Sequence, residues 1–392
     1  MQRNFLNVHP DVIKLGLVSF LTDVSSEAIF SVFSIFFTVV VGASAALLGL
    51  VEGLADFSSS SLDYLSGWLA DKSGNRKPLA ILGYGFSSLA KFFLVFANSV
   101  PTLAGFRVLE RLGKSFRGPP RDAWLSSVAE QQNRGYAFGV HKAMDKAGAV
   151  LGPILAYLLL SKLGQSARTF HIMFVGTAIV AVLAVLVLLM MKDRPGQPHE
   201  RQNIFKAWRT LSPGFKLYLV PAGIFSLAYF SFGFLLLKAY TAGFAIKDVV
   251  LLYALFNVAF VLMAAPLGKL GDRIGRKFII PLGYLIYLLM SLGFIWETQK
   301  WEIVVLFILF GIFYSIDEAQ SKAFIADLEK DRRATAIGLY NFTTGIIYLP
   351  ASLIAGALWI LHPAYAFIFA AVLALAALAA FILLRNKMAP NH

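Results

Sequence analysis

The sequence predicts an all-α integral membrane protein with twelve transmembrane helices in two pseudo-symmetric six-helix bundles. Apolar runs of about 20 residues recur along the chain, each long enough to cross a hydrocarbon core of roughly 30 Å. Hydrophobic residues make up 58% of the 392 residues and charged residues only 15%, whereas soluble domains average about 25% charged residues. The third observation is an internal repeat at an offset of 201 residues, close to half of the chain length.

The apolar runs place the twelve spans at 12–41, 45–70, 78–98, 101–123, 135–161, 168–191, 214–240, 247–271, 278–297, 302–325, 334–360 and 363–385. The longest connection is polar, basic and proline-containing, and it lies at the midpoint of the chain. We therefore predict an N-terminal six-helix bundle over 1–191, a cytoplasmic linker over 192–213 and a C-terminal six-helix bundle over 214–392. The chain has no cysteine, which excludes disulfides and thiolate metal sites. The segment before the first span lacks the pattern of a removable signal peptide.

The distribution of basic residues predicts the orientation of these spans. Loops on the side of both termini carry 20 lysines and arginines, and loops on the opposite side carry 4. Because positively charged loops stay inside, both termini are expected in the cytoplasm and the chain in the cytoplasmic (inner) membrane. The net charge of +13 follows from these alternate basic loops, so we expect no nucleic-acid partner.

Two short motifs occur once in each half. GWLADKSGNRK (67–77) reappears as GKLGDRIGRKF (268–278), and RGYAFGVH (134–141) reappears as RATAIGLY (333–340). The two offsets agree closely, which indicates a duplicated six-helix unit. In the first motif, a glycine permits close helix approach, an aspartate lies at the helix end near the cytoplasm, and a second glycine permits a tight turn. We predict a cytoplasmic gate or loop motif formed by Gly67, Asp71, Gly74, Arg76, Gly268, Asp272, Gly275 and Arg276.

These motifs resemble those of a known family. The G-x-L-x-D-x-x-G loop after spans two and eight is similar to the signature loop of the major facilitator superfamily. Arg107 resembles the span-four arginine of that superfamily, and Gly148-x-x-x-Gly152-Pro153 resembles its span-five motif, which is common among proton-driven exporters. FLTDVSSE, RVLERLGKSFRGPPRDA, HKAMDKAGAVLGP, KAFIADL and GLYNFTTG…LPASLIAG resemble a poorly characterised bacterial and archaeal branch.

The resemblance implies two six-helix bundles that rock around a central cavity lined by spans 1, 4, 7 and 10. One departure concerns span seven, AYFSFGFLLLKAY, where the family pattern leads us to expect a polar or acidic residue near Phe232 or Gly233.

Charged residues inside spans are functional candidates by default, and here they concentrate in the N-terminal half. Asp23 and Glu27 lie one helical turn apart in span one. Two carboxylates this close in a low-dielectric setting do not both ionise easily, which suits a proton carrier. We predict that Asp23 and Glu27 couple transport to protons, with Glu110 and Asp145 as second choices. The alternative is a structural network of ion pairs.

Basic residues in spans four and five are the candidates for substrate contact. Arg107, Arg111 and Lys114 share one face of span four, and arginine binds carboxylate or phosphate in a bidentate manner. These side chains could instead neutralise the acids of spans one and two. His141 lies four residues before Asp145 and is a further candidate for substrate contact or a proton path.

The sequence thus predicts a proton-coupled secondary active transporter of a small polar, charged organic solute, with efflux by antiport slightly favoured. Proton-coupled uptake by a symporter and a non-transporting membrane receptor of the same fold remain alternatives. We find no catalytic motif, no metal-ligand cluster and no nucleotide-binding loop, so we expect a non-enzyme without cofactors. The expected partners are a small-molecule substrate, protons and the lipid bilayer, and the protein is expected to be a monomer.

Overall fold

The computed structural model describes residues 8–73, 76–128, 134–192, 208–209, 211–296, 299–329 and 333–388. Within these ranges, twelve helical segments follow one another, and the seventh is divided in two. Their bounds are α1 Pro10–Ile35, continued as a π-helix over Phe36–Val40, α2 Ala45–Ser73, α3 Arg76–Leu94, α4 Val100–Val128, α5 Arg134–Leu163, α6 Ala167–Leu189, α7a Pro213–Ala228, α7b Gly233–Thr241, α8 Ile246–Ile274, α9 Arg276–Gly293, α10 Lys300–Leu328, α11 Arg333–Leu361 and α12 Pro363–Leu384. The predicted all-α fold with twelve spans is confirmed.

Local sequence signals explain where several helices begin. Ser166 and Ser212 are N-caps whose hydroxyls accept from Thr169 N and Phe215 N, and Pro213 then opens α7a. His362 plays the same role before Pro363, because its Nδ1 accepts from Ala364 N at 3.2 Å. An N-cap acceptor satisfies a backbone N–H without a partner inside the helix, and proline fits the first helical position.

Within the described residues, eight helical segments are long and apolar enough to cross a membrane by length and composition alone. The other segments are α2, α3, α4 and α10, which hold Glu52, Lys91, Arg107 and Asp317. Charged residues also occur inside α1 and α5. A charged residue inside a transmembrane helix is costly unless it faces protein or water, so the helices with such residues are the first place to look for function.

The chain forms two compact units. The first comprises Met1–Gly42, Ser61–Arg201 and Ile246–Ala254, and the second comprises Ala43–Ser60, Gln202–Ala245 and Leu255–His392. Part of α2 therefore belongs with the C-terminal helices, and the start of α8 belongs with the N-terminal helices. The predicted boundary between two six-helix bundles at the 192–213 linker is based on the sequence and stays a prediction. Most of this linker lies outside the described residues.

Glycines set the helix spacing in the first unit. A Cβ on Gly152 of α5 would lie 2.5 Å from Val24 O and 2.9 Å from Ala28 N of α1. A Cβ on Gly113 of α4 would lie 2.6 Å from Ser87 N of α3. Side chains at these positions would push the helices apart, so the glycines bring α5 onto α1 and α4 onto α3.

In the second unit, α2 packs against α11 in the same way. A Cβ on Gly356 would lie 2.8 Å from Ala45 O, and one on Gly53 would lie 3.0 Å from Leu349 O. The same unit contains the break in the seventh span, where α7a ends at Ala228 and α7b starts at Gly233. The sequence predicted one continuous span over 214–240, and the break brings a short non-helical stretch into this unit.

Candidate functional site

The two acids of α1 have different partners in the first unit. Asp23 Oδ1 lies 3.9 Å from Arg117 Nη2 of α4. Glu27 accepts a hydrogen bond from the hydroxyl of Tyr253 on α8. Within the described part of the chain, no lysine or arginine nitrogen lies within 4.0 Å of Glu27. One acid therefore faces a cation and the other faces a neutral donor.

Glu110 of α4 lies at the centre of a buried polar cluster. Its side chain is completely buried, and its Oε1 accepts from Ser26 at 3.3 Å and from Ser87 at 3.4 Å. Lys91, also completely buried, donates to Ser26 Oγ at 2.9 Å. Arg107 Nη1 lies 3.8 Å from Glu110 Oε2. We call these residues, Ser26, Ser87, Lys91, Arg107 and Glu110, the Glu110 cluster.

The predicted basic face of α4 lies against aromatic rings of α1. The Arg107 guanidinium carbon lies 4.2 Å from the ring centroid of Phe30, and that of Arg111 lies 5.4 Å from the same centroid. Such cation–π contacts stabilise each guanidinium by roughly 0.5–2 kcal/mol. Lys114 is half-buried and follows one turn after Arg111. The basic face therefore contacts α1 and is not simply paired with the acids of span one.

Asp145 of α5 forms a second polar cluster with α1 and α4. Ser19 Oγ donates to Asp145 Oδ1 at 2.7 Å, and Lys142 Nζ donates to Oδ2 at 3.2 Å. Arg121 Nη1 lies 3.9 Å from Oδ1. His141 is buried one turn before Asp145 on the same helix. The structure brings these two predicted residues into one region, separate from the partners of Glu110.

In the second unit, Glu52 of α2 contacts the break in the seventh span. It is 4% exposed, and it accepts from Ser231 Oγ at 3.2 Å. Ser231 lies in the break between α7a and α7b, where its N–H also donates to Ser352 Oγ at 3.3 Å. This serine is the polar residue next to Phe232, where the family pattern led us to expect one.

The second copy of the loop motif is well defined. Gly275 adopts φ +87° between α8 and α9, a conformation that favours glycine. Arg276 then bridges two acids, with its Nη2 donating to Asp272 at 3.1 Å and its Nη1 donating to Asp327 at 2.8 Å. Gly268 lies within α8, one turn before Asp272. The pairing of Asp272 with Arg276 ties the last turn of α8 to the first residue of α9.

The first copy of the motif is described only in part. Gly67 lies in α2, and Arg76 is the first residue of α3. Gly74 and the side chain of Asp71 lie outside the described part. The next residue, Lys77, donates to the carbonyl oxygens of Leu189 and Met191, so in this copy a basic residue caps the end of α6.

Sequence reasoning missed several contributors to these clusters. Ser26, Ser87 and Lys91 complete the environment of Glu110, Arg117 faces Asp23, and Tyr253 donates to Glu27. The sequence does not distinguish these serines and Lys91 from other polar residues in apolar helices. The repeat does offer a signal for Tyr253, which aligns with Glu52 at the offset of 201. No group of three or more His, Asp or Glu residues that could hold a metal ion occurs among the described residues.

Comparisons with known proteins agree on one family. The sequence matches the Major Facilitator Superfamily over residues 15–296 and 241–392. A relative described as an uncharacterised MFS-type transporter from Methanocaldococcus jannaschii is 36% identical and covers 93% of this chain and 92% of its own length. The multidrug resistance protein MdtH from Photorhabdus laumondii is 30% identical over 34% of this chain and 33% of its own length.

Solved structures show the same fold at low sequence identity. A POT family transporter in complex with a thioalcohol-conjugated peptide has a TM-score of 0.80 at 13% identity, covering 99% of this chain and 98% of its own. A crystal structure of the nucleoside transporter NupG has a TM-score of 0.74 at 16% identity, covering 95% and 99%. From the family match, the relatives and the helical architecture together, this chain belongs to the major facilitator superfamily of multi-pass membrane transporters.

Proposed function

We propose that this protein is a proton-coupled secondary active transporter that moves a small polar, charged organic solute across the cytoplasmic membrane by alternating access. Both termini lie in the cytoplasm in this proposal, because the basic residues concentrate in the loops on that side. The transporter works as a monomer without a cofactor and catalyses no covalent reaction.

The observation that carries the proposal is the difference between the partners of Glu27 and Asp23. Glu27 contacts a neutral hydroxyl, so it can gain or lose a proton without breaking an ion pair within 4.0 Å among the described residues. Asp23 faces Arg117, so protonation of Asp23 would release that guanidinium. A carboxylate whose charge controls a neighbouring cation links proton binding to helix packing. Glu27 is thus the first candidate for the residue that carries the proton. Asp23 is the first candidate for the residue that links protonation to helix packing.

Glu110 and Asp145 are the second candidates for proton coupling. Each is surrounded by hydroxyls and cations that support the ionised form, which favours a structural role over proton exchange. Arg107, Arg111, Lys114 and His141 are the proposed contacts for the solute. The aromatic contacts of Arg107 and Arg111 orient both guanidinium groups, so both can bind an anionic group with little loss of side-chain entropy.

Two observations favour efflux over uptake. The first is the Gly148-x-x-x-Gly152-Pro153 motif, and the second is a partial match, over a third of the chain, to a protein described as a multidrug resistance protein. The motif loops around Asp272 and Arg276 act in this proposal as the cytoplasmic gate. Proton-coupled uptake is the second candidate, since the same buried acids can serve a symporter.

The experiment first identifies a solute by a thermal-shift screen of the purified protein against metabolites. The hit, radiolabelled, is then followed in proteoliposomes with and without an imposed pH gradient. We expect accumulation only with the gradient, in the direction that the orientation of the reconstituted protein defines. Transport that ignores the gradient would reject proton coupling, and binding without counterflow of labelled solute would favour a receptor.

A further inference from the structure

We propose that Asp317, together with Tyr229, Tyr314 and Tyr348, forms a binding site for an organic cation in the second unit. The inference rests on the proposed function, because it assigns a positive charge to the solute or to one end of it. Its evidence lies entirely within α7a, α10 and α11 and is independent of the first-unit clusters.

The carboxylate of Asp317 lies at membrane depth. Asp317 lies inside α10, eleven residues before the end of the helix at Leu328. Ser321 donates to Asp317 Oδ1 at 3.4 Å, and no lysine, arginine or histidine nitrogen lies within 4.0 Å of Asp317 in the described residues. Its neighbour Glu318 does have a cation, since Lys322 Nζ donates to Glu318 at 3.1 Å. A carboxylate at membrane depth without such a cation is costly, and a bound cation would remove that cost.

The surroundings of Asp317 are aromatic. Tyr229 packs against Tyr348 with ring centroids 5.6 Å apart and against Phe310 at 6.3 Å. Phe310 in turn stacks on Tyr314 at 6.3 Å with an interplanar angle of 15°. Tyr314 lies three residues before Asp317 on α10, so the two side chains share one face of the helix. The carboxylate and the tyrosine rings therefore belong to one local environment.

The side chains of the proposed site are partly exposed. Asp317, Tyr229, Tyr314 and Tyr348 are each only partly buried, in contrast to Phe310 and Phe313 behind them, which are 3% and 0% exposed. Tyrosine faces attract cations through the ring quadrupole, and several such rings around one charge bind quaternary ammonium groups. A carboxylate among partly exposed rings suits a cation with apolar substituents better than a small hydrated ion.

The helix register supports a single site. Phe310, Tyr314, Asp317 and Ser321 follow one another at spacings of three or four residues on α10, so they share one face. Tyr229 stands at the C-cap of α7a, where the helix breaks.

The test measures equilibrium binding of tetraphenylphosphonium to the purified full-length protein in detergent, with tetraphenylborate as an anion of nearly the same shape. We expect saturable binding of the phosphonium that depends on Asp317, whereas any binding of the borate, which Arg107 and Arg111 can accept, should not depend on Asp317. D317N should weaken phosphonium binding about tenfold. The control D248N, which removes an acid from the first turn of α8 in the first unit, should change it by no more than about twofold.

Two further variants test whether the aromatic ring of Tyr229 contributes to binding, as distinct from folding. Y229F keeps the ring face and should bind like the wild type, whereas Y229L should lose binding. Elution volume and thermal midpoint confirm that each variant is folded. Unchanged phosphonium binding by D317N, an equal loss of phosphonium and borate binding in D317N, or no saturable binding of the phosphonium by the wild type would overturn the proposal. Binding is measured without a pH gradient. A failure of the phosphonium to bind is therefore distinct from a failure of proton coupling.

Discussion

Lys91 and Glu110 offer a quantitative test of the Glu110 cluster. Ser26 Oγ lies 2.9 Å from Lys91 Nζ and 3.3 Å from Glu110 Oε1, so the two charges are separated by no more than about 6 Å. At an effective dielectric constant of about 20, this separation corresponds to an attraction of roughly 3 kcal/mol. Both side chains are completely buried, so removing one partner leaves the other as a buried charge with less compensation.

The single variants K91M and E110Q should therefore each lower the free energy of unfolding by about 3–5 kcal/mol. The double variant should recover part of this loss, with a coupling energy of about 2–3 kcal/mol, because neither charge is then left behind. The assay is unfolding in mixed micelles with increasing sodium dodecyl sulfate, followed by the fluorescence of the tryptophans. Additive losses, with a coupling energy indistinguishable from zero, would refute the interaction between Lys91 and Glu110.

Three further predictions concern packing, coupling and the loop motif. G152A should lower the thermal midpoint by several degrees, since a Cβ there meets the backbone of α1; G176A, where a Cβ meets nothing within 4 Å, is the matched control and should change little. Y253F removes the hydroxyl that donates to Glu27 and should displace the pH profile of transport without unfolding the protein. An unchanged pH profile would show that Tyr253 has no part in proton coupling. R276A breaks pairs whose acids are more than half exposed, so its cost to stability should not exceed about 1 kcal/mol; a larger loss, measured by the same detergent titration, would show that the loop is stabilised by more than surface pairs.

The fold was predictable from the sequence for physical reasons. A bilayer requires apolar segments of a fixed length, and backbone hydrogen bonding in lipid requires them to be helical. The repeated loop motif then identified the duplication. The break at Tyr229 to Phe232 was not predictable in the same way, because the residues around it are apolar and continue the hydropathy of the span.

The candidate site was predictable only at the level of individual residues. Spacing along a helix places Asp23 and Glu27 on one face, but it does not show which neighbouring helix each acid contacts. In the structure, Asp23 lies near Arg117 and Glu27 contacts Tyr253. The sequence left open whether Arg107, Arg111 and Lys114 contact the solute or neutralise the acids, and it did not point to Arg117 or Tyr253. Those contacts depend on the rotation and spacing of the helices, which glycines such as Gly113 and Gly152 set through tertiary packing.

The measurement that tests the account most directly follows proton movement and solute movement in the same proteoliposomes. A pH-sensitive dye inside the vesicles reports protons while the radiolabelled solute from the thermal-shift screen is added outside. We predict that the wild type moves protons only when the solute is present, and that D23N/E27Q still binds the solute but no longer moves protons with it. Solute-dependent proton movement that persists in D23N/E27Q would contradict the assignment of coupling to this pair of acids.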